Sequence, residues 1–370
     1  MRQNEPQGDG ISPSGSSSNK LTKQNTVLVG LITGVSSAVL AEHSRDLSNR
    51  TLEPVVQYVC VVAEAKISVL RRHWIAGHAP TVDVIAQNPD CVGCAIAADV
   101  IRSAAQHLDA GFTTIDAVLP PGTDAVHMSQ RINEQTGLVT SHLRVVLDAA
   151  RIHADVHCSD DLHSSEMVSW SGDQRWVAHA TIGLVTAADQ VVLTAPNGDD
   201  ATAIALVRHL NPAARVHSQL AELPTHVTFN AEATAARRDG VAGPSMPPLA
   251  QAGYESSVTA YHRPFHPQRL LQAVTEVAEH VVRVEGQLWL ATQPEQVFRL
   301  HVSAGLASLD ACGQRLGGRN SNIVVTTSSY ADTDMHRAVV TRLTRAVATP
   351  HEFAAGPDLW RGWDDPFRSP

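Results

Sequence analysis

The chain alternates short β-branched runs with stretches in which apolar residues recur every three or four positions, which is the pattern of strands followed by helices. Residues 26–30, Thr-Val-Leu-Val-Gly, open with such a run and residues 35–47 carry helical spacing, so a strand, a glycine-bearing loop and a helix are expected there. A second strand is expected over 54–63, leading through 66–75, and a helix over 91–108 after the turn at Pro89-Asp90. Strand-like runs over 113–119, 143–147 and 191–194 each adjoin a helix-like stretch, and this alternation favours a mainly parallel, doubly wound sheet. Residues 222–255 are rich in Ala, Gly and Pro without a sustained period and are expected to form a linker. Beyond it come a strand near 256–261, a helix over 267–278, strands over 281–290, 296–301 and 322–327, and an amphipathic helix over 334–348. The expected organisation is therefore a tail over 1–25, an α/β domain over 26–221, the linker, and a smaller α+β domain over 256–370.

A length of 370 residues agrees with two cores, since a single core rarely grows beyond about 250 to 300 residues. The formal net charge of -9, with no dense run of Lys and Arg, disfavours direct nucleic-acid binding. The longest apolar stretches, such as 26–33 and 190–195, fall far short of the roughly 20 residues of a membrane helix, so no span is expected. Residues 1–25, rich in Gln, Ser, Asn and Gly, lack the apolar core of a secretory signal and read as a disordered tail. Five cysteines, two of them as a Cys-x-x-Cys pair, suit a reducing compartment, and a cytoplasmic location is expected.

Three places carry candidate chemistry. The stretch Gly30-Leu31-Ile32-Thr33-Gly34-Val35-Ser36-Ser37 sits where a phosphate-binding loop would present backbone N–H groups and a helix N-terminus to an anion. It lacks the lysine that reaches the terminal phosphates, and an ordinary strand-to-helix turn explains it as well. Cys91-Val92-Gly93-Cys94 brings two thiols to a helix start, which suits zinc ligation or redox exchange; without a thioredoxin-like pattern metal ranks first, against two merely buried thiols. His153, His157, Cys158 and His163, with Asp155, Asp160 and Asp161 among them, are soft or borderline zinc ligands, although in a chain with 19 histidines a surface loop is the simpler reading.

The runs Arg263-Pro264-Phe265-His266-Pro267-Gln268-Arg269-Leu270, Gly286-Gln287-Leu288-Trp289-Leu290-Ala291-Thr292, Ala355-Gly356-Pro357-Asp358-Leu359-Trp360 and Asp365-Pro366-Phe367 resemble the C-terminal domain of the CobW-type, zinc-linked GTPases. The resemblance implies an α/β fold with a P-loop-GTPase-like mainly parallel sheet and a smaller C-terminal α+β domain of CobW type. Laid on that family, Gly30, Gly34, Ser36 and Ser37 are the degenerate nucleotide-binding residues, with Ser36 at the lysine and Ser37 at the magnesium position. Cys91 and Cys94 keep the outer two cysteines of the family's Cys-x-Cys-Cys metal motif. The acidic Ser/Thr-x-Gly segment reads Val-Leu-Pro-Pro-Gly over 118–122, and the guanine-reading Asn-Lys-x-Asp reads Thr-Ala-Pro-Asn over 194–197, so GTP and magnesium binding are expected to be weak or lost. The run over 263–270 and the segment 177–193 are similar to a divergent branch that recruits a ribosome-hibernation factor under zinc starvation. The resemblance thus implies a zinc-responsive, non-catalytic recruitment protein with a ribosome-hibernation factor or ribosomal protein as partner. A GTP-dependent zinc metallochaperone, and a drifted paralogue acting only by protein contacts, are the alternatives.

Overall fold

A computed structural model describes residues 26–63, 66–165, 175–194, 200–218, 229–230, 232–234, 253–314, 320–328 and 334–368. The expected tail over 1–25 and most of the expected linker over 222–255 lie outside these residues.

The first strand, β1 (Val27–Gly34), runs into helix α1 (Ser37–Arg50), and β2 (Val55–Ala63), β3 (Lys66–Trp74) and β4 (Thr81–Gln87) follow. Next come α2 (Val92–Asp109), β5 (Thr114–Val118), α3 (Ala125–Asn133), β6 (Leu138–Asp148), the short α4 (Ile152–Asp155), α5 (Val177–Ala187), β7 (Gln190–Thr194), α6 (Asp200–Leu210) and β8 (Arg215–His217). These strands form one sheet in the order β4-β3-β2-β5-β1-β6-β7-β8. Every pairing from β2 to β8 across β5, β1, β6 and β7 is parallel, while β2–β3 and β3–β4 are antiparallel. The sheet is thus the mainly parallel one read from the sequence, with an antiparallel extension at one edge.

Side-chain alternation along β1 divides the core between two faces. Val27, Val29 and Leu31 pack with Ile96 and Val100 of α2 and with Met128 and Ile132 of α3. Ile32, on the other face, packs with Val118, Val146, Val192 and Leu40 of α1. Helices therefore cover both faces, as a parallel sheet requires.

The C-terminal sheet is built from β9 (Tyr254–Tyr261), β10 (Arg283–Leu290), β11 (Gln293–Ser303), β12 (Leu306–Gln314) and β13 (Ser321–Ser328), in the order β12-β11-β10-β13-β9. All its pairings are antiparallel. Helices α7 (Pro267–Val277) and α8 (Met335–Ala346) pack on it through Leu270, Val274, Val339 and Leu343, and α9 (Pro350–Ala355) and α10 (Pro357–Trp360) close the unit. Proline at the first position of α7, α9 and α10 forgoes an N–H that would be unpaired there in any case.

The two sheets are bound at a buried junction. Arg283, 4% exposed, donates to Thr186 Oγ1 at 3.3 Å, to the carbonyl of His209 at 3.0 Å and to Glu285 at 3.4 Å. Tyr254 is fully buried and joins the core of the first sheet, so β9 begins two residues before the expected boundary at 256. Among the described residues no helix is long and apolar enough to cross a membrane.

Candidate functional site

Beyond the carboxyl ends of β1 and β5, where open parallel sheets bind their ligands, lies a cavity of about 350 Å3. Ser37 and Leu40 of α1, Cys60 of β2, Val92 and Gly93 of α2, the loop 119–124 and Arg175 line it. Two of the sequence-derived candidate stretches therefore meet at one opening: the start of α1 and the start of α2.

The cysteine pair is exposed. Cys91 is the N-cap of α2, its Sγ accepting from the backbone N–H of Cys94 at 3.1 Å. Hydrogen bonds from the Cys94 thiol and backbone, the Gly93 N–H and the positive charge of Arg131 hold the Cys91 thiol below its ordinary range. The Cys94 thiol is correspondingly raised by its hydrogen bond to Cys91. A depressed, accessible thiol at a helix N-terminus is the state in which a cysteine binds metal or attacks. Cys60, by contrast, is pushed up to about 11 by burial and stays a thiol.

A closed structural zinc site uses four ligands in tetrahedral array. Among the described residues no group of three or more His, Cys, Asp or Glu side chains comes together in a way that would hold a metal. Cys91 and Cys94 thus supply half of such a set, which does not fit a resident structural zinc but leaves positions open for ligands carried by another molecule. The His153, His157, Cys158 and His163 set does not converge either. His153 is bonded through Nδ1 to the Tyr254 hydroxyl at 2.5 Å, its ring centroid lies 5.2 Å from that of His157, Cys158 packs against the core, and His163 is exposed.

The phosphate-loop expectation requires correction. The strand does not end at Gly30 but continues to Gly34, because residues 30–34 pair with β6 and residues 30–32 also with β5. Their backbone groups are spent on the sheet instead of being free to ring an anion. The carbonyls of Ile32 and Gly34 in turn accept from Leu119 and Gly122 at 2.7 and 2.8 Å. The two glycines answer to packing. A Cβ on Gly34 would lie 2.4 Å from the Val146 carbonyl oxygen, and one on Gly30 would lie 2.0 Å from Asp116 Oδ1. Ser36 caps α1, accepting from Val39 N at 3.4 Å, and Ser37 is the first helical residue at the cavity wall. With no lysine and no open loop, these residues do not fit the grip that holds nucleotide phosphates and magnesium. Thr194 donates to the Leu147 carbonyl, and residues 195–197, the expected place of base recognition, lie outside the described residues.

Sequence reasoning did not find Cys60, Arg131 or Arg175. Arg175 donates to the Gly122 carbonyl at 2.5 Å and stands between this cavity and a second one of about 350 Å3 between the sheets, which His179, Glu285, Arg299, His301 and Asp310 line. The run Pro120-Pro121-Gly122 directly after a strand was the available signal, a rigid turn that reaches φ +69 at Gly122.

A protein from Mycobacterium tuberculosis named Zinc chaperone Rv0106 is 32% identical over 225 residues, which cover 53% of this chain and 55% of that protein. Uncharacterized protein Mb0109 from Mycobacterium bovis matches equally. The chain thus spans about half the length of the curated relatives it matches. Among solved structures, the Zn(II)-bound YjiA GTPase from E. coli aligns at 14% identity with a TM-score of 0.36, covering 86% of this chain and 99% of that one. Residues 254–343, from β9 into α8, match the family described as the cobalamin synthesis protein cobW C-terminal domain.

Proposed function

We propose that this chain handles zinc in the manner of a metallochaperone, with Cys91 and Cys94 holding the ion as cargo at the mouth of the cavity. One observation carries the reading: an exposed thiol pair at the start of α2, with the Cys91 thiol depressed and Arg131 nearby. Two ligands from the chain leave the rest of the zinc sphere to water or to a receiving protein, which favours transfer over permanent retention. The relative named a zinc chaperone supports the same class. Recruitment of a ribosome-hibernation factor under zinc starvation would use the same pair as a sensor, but neither the geometry nor the relatives' names favour that partner, and metallochaperone activity becomes the leading reading. Whether GTP drives release is a separate matter, and the residues of β1 argue for transfer without it.

Competition with a chromophoric chelator, and the thiolate-to-metal absorption of cobalt(II), would test the reading. One equivalent of metal is expected to bind the reduced chain and to be lost in Cys91→Ser and Cys94→Ser. Failure of the reduced chain to hold any zinc against a micromolar chelator would remove the proposal. Titration with GTP and magnesium completes the test: no binding at millimolar nucleotide is expected, and micromolar binding would restore the GTP-dependent version.

A further inference from the structure

The face of the first sheet that α1 covers is not wholly apolar. Its alternating positions place Asp116 of β5, His142 and Arg144 of β6 and Gln190 of β7 on one side, with Gly30 pairing between Asp116 and His142 and Arg144 pairing beside Gln190. His43 of α1 closes over them, near enough to Arg144 for burial and that charge to disfavour a protonated ring. Four of these side chains are nearly inaccessible: His43 at 2%, His142 at 4%, Arg144 at 3% and Gln190 at 0%.

Their hydrogen bonds do not close. Arg144 Nε donates to Gln190 Oε1 at 3.1 Å, His142 Nδ1 meets Ser141 Oγ at 3.1 Å, and His142 Nε2 lies 3.4 Å from Asp116 Oδ1. Five buried atoms are left over: both ring nitrogens of His43, Nε2 of His142, an Nη of Arg144 and Nε2 of Gln190. Buried polar atoms are paired in nine cases of ten or more, and a cluster of exceptions marks an occupant. Arg144 has no carboxylate in contact among the described residues; Asp116 acts on it only at a distance and is itself 21% exposed to water. An isolated buried guanidinium is costly unless a counter-charge sits beside it.

The donors identify the occupant's chemistry. Arg144 and Gln190 offer only N–H groups at their open atoms. Burial holds His43 at about 3 and His142 at about 4, so both are neutral rings, each with one N–H to give. Each neutral ring also keeps one acceptor nitrogen, but with the open N–H groups of Arg144 and Gln190 and one positive charge the donors outnumber the acceptors, which suits an anion better than a cation. Arg144 pairs beside Ile32, whose cluster with Leu40 packs the same sheet–helix layer, so a large oxyanion would have to displace core residues.

We propose that this layer is a buried binding site for a small monovalent anion of chloride size, held by Arg144, Gln190 and His43 with His142 at its edge. The site lies beneath α1, whose first residue lines the cavity beside Val92 and Gly93, so its occupant would hold that helix on the sheet. It is independent of the zinc reading.

Crystals of the full chain grown in sodium bromide, measured at the bromine edge, are expected to show an anomalous peak within hydrogen-bond reach of Arg144 and Gln190. In solution, replacing gluconate by chloride at constant ionic strength is expected to raise the melting temperature by about 2–4 °C. This rise should vanish in Arg144→Gln, and in His43→Phe should be at least halved, which covers the case in which the arginine variant fails to fold. A layer holding only ordered water in the bromide crystal, together with equal melting in chloride and gluconate, would overturn the proposal.

Discussion

The two sheets use their distinctive residues in opposite ways. In the C-terminal unit the residues that make the sequence recognisable are absorbed by packing. Phe265 is fully buried, Arg269 pairs with Glu352 at 2.6 Å, Thr349 and Glu352 form a reciprocal cap, and Trp360 donates to the Glu352 carbonyl at 2.9 Å. In the first sheet, the residues able to do chemistry are left over: Cys91 and Cys94 stand exposed, and His43 and Arg144 keep open hydrogen-bonding atoms. Recognisable sequence runs and candidate chemistry are thus different things in this chain, because packing constrains many residues at once while chemistry needs only a few that packing leaves alone.

The junction between the sheets offers the strongest way to break that contrast. Arg283→Ala would leave Glu285, the His209 carbonyl and Thr186 without their buried donor, and a loss of about 3–5 kcal/mol is expected in urea unfolding. If the sheets instead unfold in two separate transitions with little change in either, the junction is not structural. Acid should act across the same boundary. His179 of α5 and His301 of β11 lie with ring centroids 4.0 Å apart, and burial, aided by His301 for His179 and by Arg283 for His301, lowers both to about 4. The unfolded chain then binds more protons below about pH 6.5, so stability should fall as pH drops from there towards 4 and level off below. His301→Phe is expected to flatten that stretch by about 2–3 kcal/mol, read from denaturant midpoints at successive pH values.

Gly34→Ala sharpens the point from the other side. The clash with the Val146 carbonyl predicts a loss of about 1–3 kcal/mol with zinc binding by the cysteines unchanged, whereas a glycine kept for phosphates would cost little stability. The smallest effect belongs to the cap. Burial works to raise the Glu352 carboxyl, but the Thr349 N–H and Arg269 outweigh it and hold it below the usual range. Glu352→Gln should therefore cost about 1 kcal/mol at neutral pH. The gap should close as pH falls below the ordinary glutamate value of about 4.3, since the protonated acid no longer gains from Arg269.

Much of the fold was legible because buried strands are written as β-branched runs and helices as periodic ones. Residues 54–63, 113–119 and 256–261 correspond to β2, β5 and β9 within two residues at either end, and 267–278 to α7. Less visible was β4, whose Val82 and Val84 are more than half exposed, so that its alternation has no buried face to enforce it. Strand β12 was hidden for the same reason, its outer half being polar and exposed. Helix α3, which starts at the Asp124 cap, passed unnoticed because its capping signal sits in a loop read for something else.

The sequence by itself determined the order of most strands and helices and the presence of a thiol pair at a helix start, since each depends on residue type and local spacing. Only the tertiary structure decided that β1 runs on through Gly34, that Ser37, Cys60, Val92 and Gly93 face one cavity, and that His43, His142, Arg144 and Gln190 share the face beneath α1. Pairing with β5 and β6, strands whose partners lie 86 (Leu28 to Thr114) and 111 (Val27 to Leu138) residues further along the chain, brings those groups together, and no local pattern encodes such a meeting.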